Sequence, residues 1–192
     1  MSPRRRDALR NREKILRVAG EAFAEGTEVV PLEEIARRAS LGRATVYRHF
    51  PDRAALGLAV AAQRIRALRR VVRQHETANR PFRELLATVL AMQVASRPLV
   101  RLFRELPERH QEQKAGALVA VLTPAFRSAQ SGGELRPDVE PADLLLVFEM
   151  VEAALAAATA RTHGGDAARR VIDVVLDGFF PVPRWHVRGA SE

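Results

Sequence analysis

Residues 39–50, ASLGRATVYRHF, combine a tight turn with a short helix that has two unlike faces. On a helical wheel Val46 and Phe50 fall on the same side, which indicates burial against neighbouring helices. The opposite side and its flanks carry small or polar residues that suit contact with an anion: Arg43, Ala44, Thr45, Tyr47, Arg48 and His49. This division is the one that a helix entering a DNA groove requires.

The residues just before this stretch predict a second short helix. It begins at Pro31, a favourable first-turn residue, and its apolar side chains recur at helical spacing up to Ala39. Ser40, Leu41 and Gly42 then form the turn, so that the two helices make a helix-turn-helix.

The candidate DNA-binding residues follow from this geometry. Thr45, Tyr47 and His49 can hydrogen-bond phosphates, and Arg43 and Arg48 can reach phosphates or a guanine edge. Three N-terminal arginines are expected to form a flexible arm for the backbone or the minor groove. The complete predicted set is Arg4, Arg5, Arg6, Pro31, Leu32, Gly42, Arg43, Ala44, Thr45, Tyr47, Arg48, His49 and Arg53.

Charge supports a polyanionic partner. The 192 residues carry a formal net charge of +8, and nearly all basic residues are arginines. Residues 1–17 and 37–53 are basic blocks on either side of an acidic stretch, so folding that joins the blocks would create a single positive face.

Other composition features exclude several classes of protein. The absence of cysteine excludes disulfides and thiolate metal sites. The charged N-terminus lacks a signal-peptide core, and there is no apolar run of about 18 residues that could span a membrane. The expected location is the cytoplasm.

Helical spacing recurs along the whole chain, which predicts an all-α fold of about nine helices. Residues 1–52 are expected to form a three-helix DNA-binding domain. Residues 53–192 are expected to form a second helical domain. Asp52 is a candidate cap for the helix that starts at Arg53 and links the two domains.

The segment IARRASLGRATVYRHFPDRAALGLAV resembles the DNA-binding signature of the tetracycline-repressor (TetR) family of transcription regulators. Ser40 stands where the turn glycine is usual, and Gly42 replaces the usual serine cap. The similarity covers roughly residues 10–60, and it rests on matches at Ile35, Ala36, Ala39, Thr45, Tyr47, His49, Phe50 and Leu56.

This resemblance implies a homodimer, and the sequence gives separate support. The segment PADLLLVFEMVEAALAAATA is apolar around most of its circumference, as is the last helix, so both are expected to be buried on more than one side. The alternative is a well-filled monomer core. The predicted interface residues are Leu144, Val147, Val151, Ala154, Leu155, Ala158, Ala168, Val171, Ile172, Val175 and Phe179.

The resemblance also implies an effector pocket in the C-terminal domain, so residues 53–192 are expected to be the ligand-binding and dimerisation domain. Most of the candidate lining residues are apolar, and apolar residues at helical spacing are also compatible with an ordinary core. The two charged candidates, Glu149 and Glu152, either face a cationic ligand or pair with arginines. The candidates to line the pocket are Leu86, Leu90, Met92, Phe103, Leu118, Leu122, Phe126, Phe148, Glu149 and Glu152.

No catalytic motif is present, and the five histidines lack metal-ligand spacing, so no catalytic residue, metal or cofactor is predicted. The predicted function is a ligand-responsive transcriptional repressor that binds a palindromic operator as a dimer. The alternative is a helical small-molecule-binding or protein-interaction module without sequence-specific DNA binding. A third interpretation is non-specific binding of nucleic acid or acidic membranes through the arginine arm.

Overall fold

The computed structural model describes residues 3–25, 30–159 and 164–180. Within these ranges the regular structure is entirely helical, which confirms the predicted all-α class. The helices in the described ranges are α1 (Pro3–Glu25), α2 (Leu32–Arg38), α3 (Arg43–His49), α4 (Arg53–Thr77), α5 (Phe82–Val94), α6 (Arg97–Arg104), α7 (Glu108–Ser131), α8 (Asp143–Thr159) and α9 (Gly164–Phe179).

Helices α1, α2 and α3 pack around an apolar core that α4 and α6 complete. Phe23 of α1, Ile35 of α2 and Val46 of α3 are buried there, and Phe50 just after α3 joins them. The same cluster includes Leu56 of α4 and, from α6, Leu99 and Leu102. Because the first core extends into α4 and α6, the division of the chain into two domains between residues 52 and 53 remains a prediction.

The turn between α2 and α3 requires an unusual backbone conformation. Ser40 has a φ of 48°, in the left-handed region that glycine adopts more easily. The Leu41 amide donates to the Ala36 carbonyl at 3.0 Å, so the end of α2 is satisfied within the turn. A non-glycine residue in this conformation costs about 1 kcal/mol.

Short local signals set the beginnings of the helices that surround this turn. Gly42 precedes α3 in an extended conformation, with a φ of −63° and a ψ of 142°. The Asp52 carboxylate accepts a hydrogen bond from the Ala55 amide at 2.7 Å, which confirms Asp52 as the cap of α4.

The second core lies among α5, α7, α8, α9 and the C-terminal half of α4. Its fully buried residues include Leu85, Leu86 and Leu90 of α5, with Leu122 and Phe126 of α7. None of the single helices in the described part of the chain is long and apolar enough to cross a bilayer. Helices α5 and α6 are long and apolar enough only when they are taken together, and the chain bends by 73° between them.

Helices α4 and α6 approach closely at Gly57. A Cβ atom at this position would overlap the Leu102 Cδ2 atom and lie 3.3 Å from Leu102 Cγ. Leu102 is itself buried and has little room to move. Because Gly57 has no side chain, α6 can pack directly against the start of α4.

We expect Gly57→Ala to lower the free energy of unfolding by about 1–2 kcal/mol, because overpacking outweighs the helical preference of alanine. Gly116→Ala in α7 is the matched control, since its added Cβ meets nothing within 4 Å. That control should gain about 0.5–1 kcal/mol. Urea denaturation of both variants measures the difference, and an equal gain at the two positions would contradict the close packing.

Candidate nucleic-acid interface and C-terminal cavity

Helix α3 has an apolar back and a polar front, as the wheel predicts. Val46 and Phe50 are buried in the first core. Arg43, Ala44, Tyr47 and Arg48 are exposed, while Thr45 and His49 are half-buried. The polar side of the helix is therefore open to a partner.

Arg48 lies along its own helix in this structure. Its Nε donates to the Ala44 carbonyl oxygen, and its Nη2 donates to Thr45 Oγ1, both at 3.1 Å. Because the guanidinium sits at the surface, rotation about its side-chain bonds can redirect it toward a phosphate or a base edge. The Thr45 hydroxyl lies beside it and adds a second polar group to the same patch.

Tyr47 links the front of α3 to α2. Its hydroxyl donates to Glu33 Oε1 at 2.6 Å. This bond lowers the pKa of Glu33, and the charge of Arg43 lowers it further. The same bond raises the pKa of Tyr47, so the tyrosine remains a protonated hydrogen-bond donor.

Basic residues of α1 lie close to the end of α3. The Arg12 guanidinium is 5.2 Å from the centroid of the Phe50 ring. Partial burial lowers the pKa of His49, and the charges of Arg12 and Arg48 lower it further. Residues of the two basic sequence blocks therefore lie close together at the end of α3.

A cavity of about 900 Å³ lies among α4, α5, α6, α7 and α8. Six of the ten predicted ligand-binding residues line it. The other four lie in the second core and do not line the cavity, because each is fully buried in helix packing. The lining residues are Met92, Phe103, Leu118, Phe148, Glu149 and Glu152, and the core residues are Leu86, Leu90, Leu122 and Phe126.

Two basic side chains of the cavity wall donate hydrogen bonds to other parts of the chain. Arg64 donates to the hydroxyl of Ser96, the residue just before α6, and to the Gly20 carbonyl of α1, the latter at 3.4 Å. Lys114 Nζ donates to the Leu58 carbonyl at 3.1 Å and lies 5.2 Å from the Phe103 ring centroid. Burial lowers the pKa of both side chains.

Comparison with known proteins matches both parts of the chain. Residues 15–60 match the family described as "Bacterial regulatory proteins, tetR family", and residues 79–181 match "Transcriptional regulator SbtR-like, C-terminal domain". One similar solved structure is the crystal structure of the TetR transcription regulatory protein from Mycobacterium vanbaalenii. Its sequence is 33% identical to this chain, and the two structures superpose with a TM-score of 0.63. The alignment covers 93% of this chain and 100% of that chain. The chain belongs to the TetR family.

Further relatives agree with this assignment. The TetR transcriptional regulator SCO0520 from Streptomyces coelicolor is 27% identical, with a TM-score of 0.64 and coverage of 90% of this chain and 99% of that chain. The HTH-type transcriptional regulator SAB2452 from Staphylococcus aureus (strain bovine RF122 / ET3-1) is 40% identical over 53 residues. That match spans 27% of this chain and 29% of the regulator's length. The protein is therefore a DNA-binding transcriptional regulator and not an enzyme.

Two of the predicted DNA-binding features need correction. Arg4, Arg5 and Arg6 are exposed, but they form the first turns of α1 and not an irregular arm. Leu32 is buried in the first core, so its side chain cannot reach DNA. Pro31, Gly42 and Arg53 are exposed near the ends of α2, α3 and α4.

Sequence reasoning missed two residues of this candidate interface. Arg12 belongs to α1, two helices before α3 in the chain, and only tertiary packing places it beside Phe50. Glu33 belongs to the acidic stretch, which gave no sign that it accepts a hydrogen bond from Tyr47. Its position in the first turn of α2 is an ordinary place for an acidic residue.

Four of the predicted interface residues of α8 face the chain's own core. Leu144, Val147, Val151 and Leu155 are buried in the chain's own second core, so none of them is available to a second copy. The half-buried members of the predicted set are Ala154, Ala168, Val171, Ile172 and Val175. The side chains of Ala158 and Phe179 lie outside the described residues.

A different face of α8 is exposed and apolar. Leu146 is 58% exposed and Met150 is 57% exposed, and they lie one turn apart. Ala153 and Ala157 continue this stripe toward the end of the helix, and Val174 of α9 is 71% exposed. These five residues are called the α8–α9 apolar face below.

We expect Tyr47→Phe to raise the pKa of Glu33 toward its ordinary value of 4.5, because the hydroxyl that stabilises the carboxylate is removed. In the wild type, the stability from this bond is present above the ordinary pKa and is lost as pH falls through the lowered one. Glu34 is the internal control, since Arg37 and Arg38 hold its pKa at about 2. Carboxyl-carbon NMR titration measures both residues, and an unchanged Glu33 pKa would contradict the assigned bond.

Proposed function

We propose that this TetR-family regulator represses transcription by binding a palindromic operator as a homodimer, and that a small molecule in the C-terminal cavity releases it. The observation that carries the proposal is the packing of Val46 and Phe50, which leaves the polar front of α3 exposed. As a DNA-binding regulator of a bacterial family, the protein would act in the cytoplasm.

The DNA-binding step uses the front of α3 and its basic surroundings. Arg43 and Arg48 supply charge for phosphates or a guanine edge, and Ala44 suits contact with a thymine methyl group. Arg12, Arg53 and the exposed arginines at the start of α1 add phosphate contacts that carry no sequence information.

The dimerisation step uses the α8–α9 apolar face. Exposed Leu146, Met150 and Val174 would be costly to leave in water, and the alanines of the stripe allow a second helix to approach closely. Helices α8 and α9 pack against each other, so two copies would form a four-helix interface. One recognition helix reads few bases, whereas a two-fold pair reads half-sites about 34–36 Å apart.

The release step depends on helices that the cavity shares with the DNA-binding core. Leu99 of α6 both lines the cavity and belongs to the first core. Arg64 of α4 lines the cavity and donates to the Gly20 carbonyl of α1. A ligand that displaces α4 or α6 therefore moves the three-helix unit, and in a dimer that changes the separation of the two α3 helices.

In vitro selection from random duplexes is expected to return a symmetric consensus. On that operator, Arg48→Ala should weaken binding about tenfold or more, because it removes a contact from the front of α3. Tyr47→Ala should weaken binding less, because the Tyr47 hydroxyl must leave Glu33 before it can bind a phosphate. Arg48→Ala should also reduce the salt dependence of binding. Arg70→Ala is the charge-matched control, since this exposed residue lies about 25 Å further along α4 from Arg53. Unchanged affinity in both α3 variants would overturn the proposed interface.

Leu146→Glu and Met150→Glu are each expected to convert the dimer into a monomer, because a carboxylate would be desolvated in the interface. Leu9→Glu is the control, because Leu9 is another exposed apolar residue but lies on α1. Sedimentation velocity measures the assembly state, and circular dichroism checks the fold. A monomeric wild type, or a dimer that both α8 variants retain, would count against this face.

A further inference from the structure

We propose that the C-terminal cavity binds an amphipathic cation, with an apolar body against its walls and a protonated amine beside Glu152. This inference rests on the proposed function, since it takes the cavity to be the effector site. It adds the chemical class of the effector, which neither the fold nor the family assignment supplies.

The walls of the cavity suit an apolar body. Leu68, Val89, Leu118 and Phe148 contribute apolar side chains from α4, α5, α7 and α8, and Phe103 adds an aromatic ring from α6. A volume of about 900 Å³ is in the usual range for small-molecule sites. Burial of alkyl or aromatic groups would therefore supply most of the affinity.

Glu152 is a buried carboxylate in this wall. The residue is 5% exposed. It forms an ion pair with Arg97, whose Nε is 3.8 Å from Glu152 Oε1. The second carboxylate oxygen, Oε2, is buried and has no hydrogen-bond partner. A buried acceptor without a donor is unfavourable, so a ligand that brings an N–H group would be stabilised there.

Gln93 of α5 presents a second unmet acceptor in the cavity wall. Its Nε2 donates to the Phe148 carbonyl oxygen at 2.7 Å, which fixes the orientation of the amide. The remaining amide oxygen, Oε1, is buried and has no hydrogen-bond partner. Residues 93 and 152 line the same cavity from α5 and α8. Both unpaired oxygens need hydrogen-bond donors, and an ammonium group would provide several N–H bonds.

Two of the basic residues of the wall already have acceptors, which favours a cationic over an anionic ligand. Arg64 donates to Ser96 and Gly20, and Lys114 donates to the Leu58 carbonyl and lies over Phe103. Arg104 is exposed, and the exposed carboxylates of Glu108 and Glu112 also line the cavity. An anion would therefore have to compete with existing contacts.

Access of the ligand to Glu152 requires only a local change. The terminal torsion of a glutamate side chain is broad, so rotation of the carboxylate turns Oε2 toward the cavity at small cost. The apolar side chains around it would exclude water from the ion pair, which strengthens the attraction between ammonium and carboxylate.

The test compares three probes with the same eight-carbon chain: n-octylamine, n-octanol and sodium octanoate. Thermal unfolding of the full chain without DNA gives the apparent affinity of each probe from the rise in Tm with concentration. Octylamine should bind most tightly. Glu152→Gln should weaken octylamine about tenfold or more and leave octanol unchanged, because a charged hydrogen bond is lost but the apolar contact remains. Glu84→Gln, an exposed carboxylate of α5 outside the cavity, should behave as wild type.

Gln93→Met is the second variant, in case Glu152→Gln fails to fold, and it should weaken octylamine more than octanol. The proposal would be overturned if octanoate bound more tightly than octylamine. It would also be overturned if a folded variant lost affinity equally for all three probes. Operator binding by the ligand-free protein is measured separately. Its absence would overturn the proposed regulatory function, whereas selective octylamine binding would still establish the chemistry of the cavity.

Discussion

The burial of Val46 and Phe50 is the contact on which the rest of the proposed interface depends. Both side chains insert into a core that α1 and α2 build with Phe23 and Ile35. A helix of seven residues is too short to be stable alone, so this packing is what keeps α3 helical. It also fixes the rotation of α3 about its axis, and that rotation alone decides which residues face solvent.

The same core joins the interface to the rest of the chain. Leu56 of α4 and Leu102 of α6 are part of it, and Gly57 lets these two helices meet without an intervening side chain. A displacement of α6 cannot be absorbed locally, since close-packed interiors transmit strain. The DNA-binding unit and the cavity are thus mechanically connected, although their apolar clusters are separate.

Features set by neighbouring residues could be predicted from the sequence. The extents of α2 and α3, the cap at Asp52 and the two faces of α3 depend on local spacing and turn chemistry. Features set by tertiary packing could not. Helix α8 is apolar on most sides, and its sequence does not reveal that Leu144 faces its own core while Leu146 faces outward. Leu122 and Leu118 likewise have the same chemistry, but only Leu118 lines the cavity.

The bond between Tyr47 and Glu33 shows why an exposed polar residue is not automatically a strong DNA contact. In this structure the tyrosine hydroxyl already has a charged acceptor at 2.6 Å. A phosphate that takes this hydroxyl must replace the carboxylate, so the net gain is the difference between two charge-assisted hydrogen bonds. Glu33 would also remain close to the phosphate as a like charge. In the proposed complex the carboxylate would therefore lower non-specific affinity, and contacts from residues such as Arg48 would supply the preference for a particular operator.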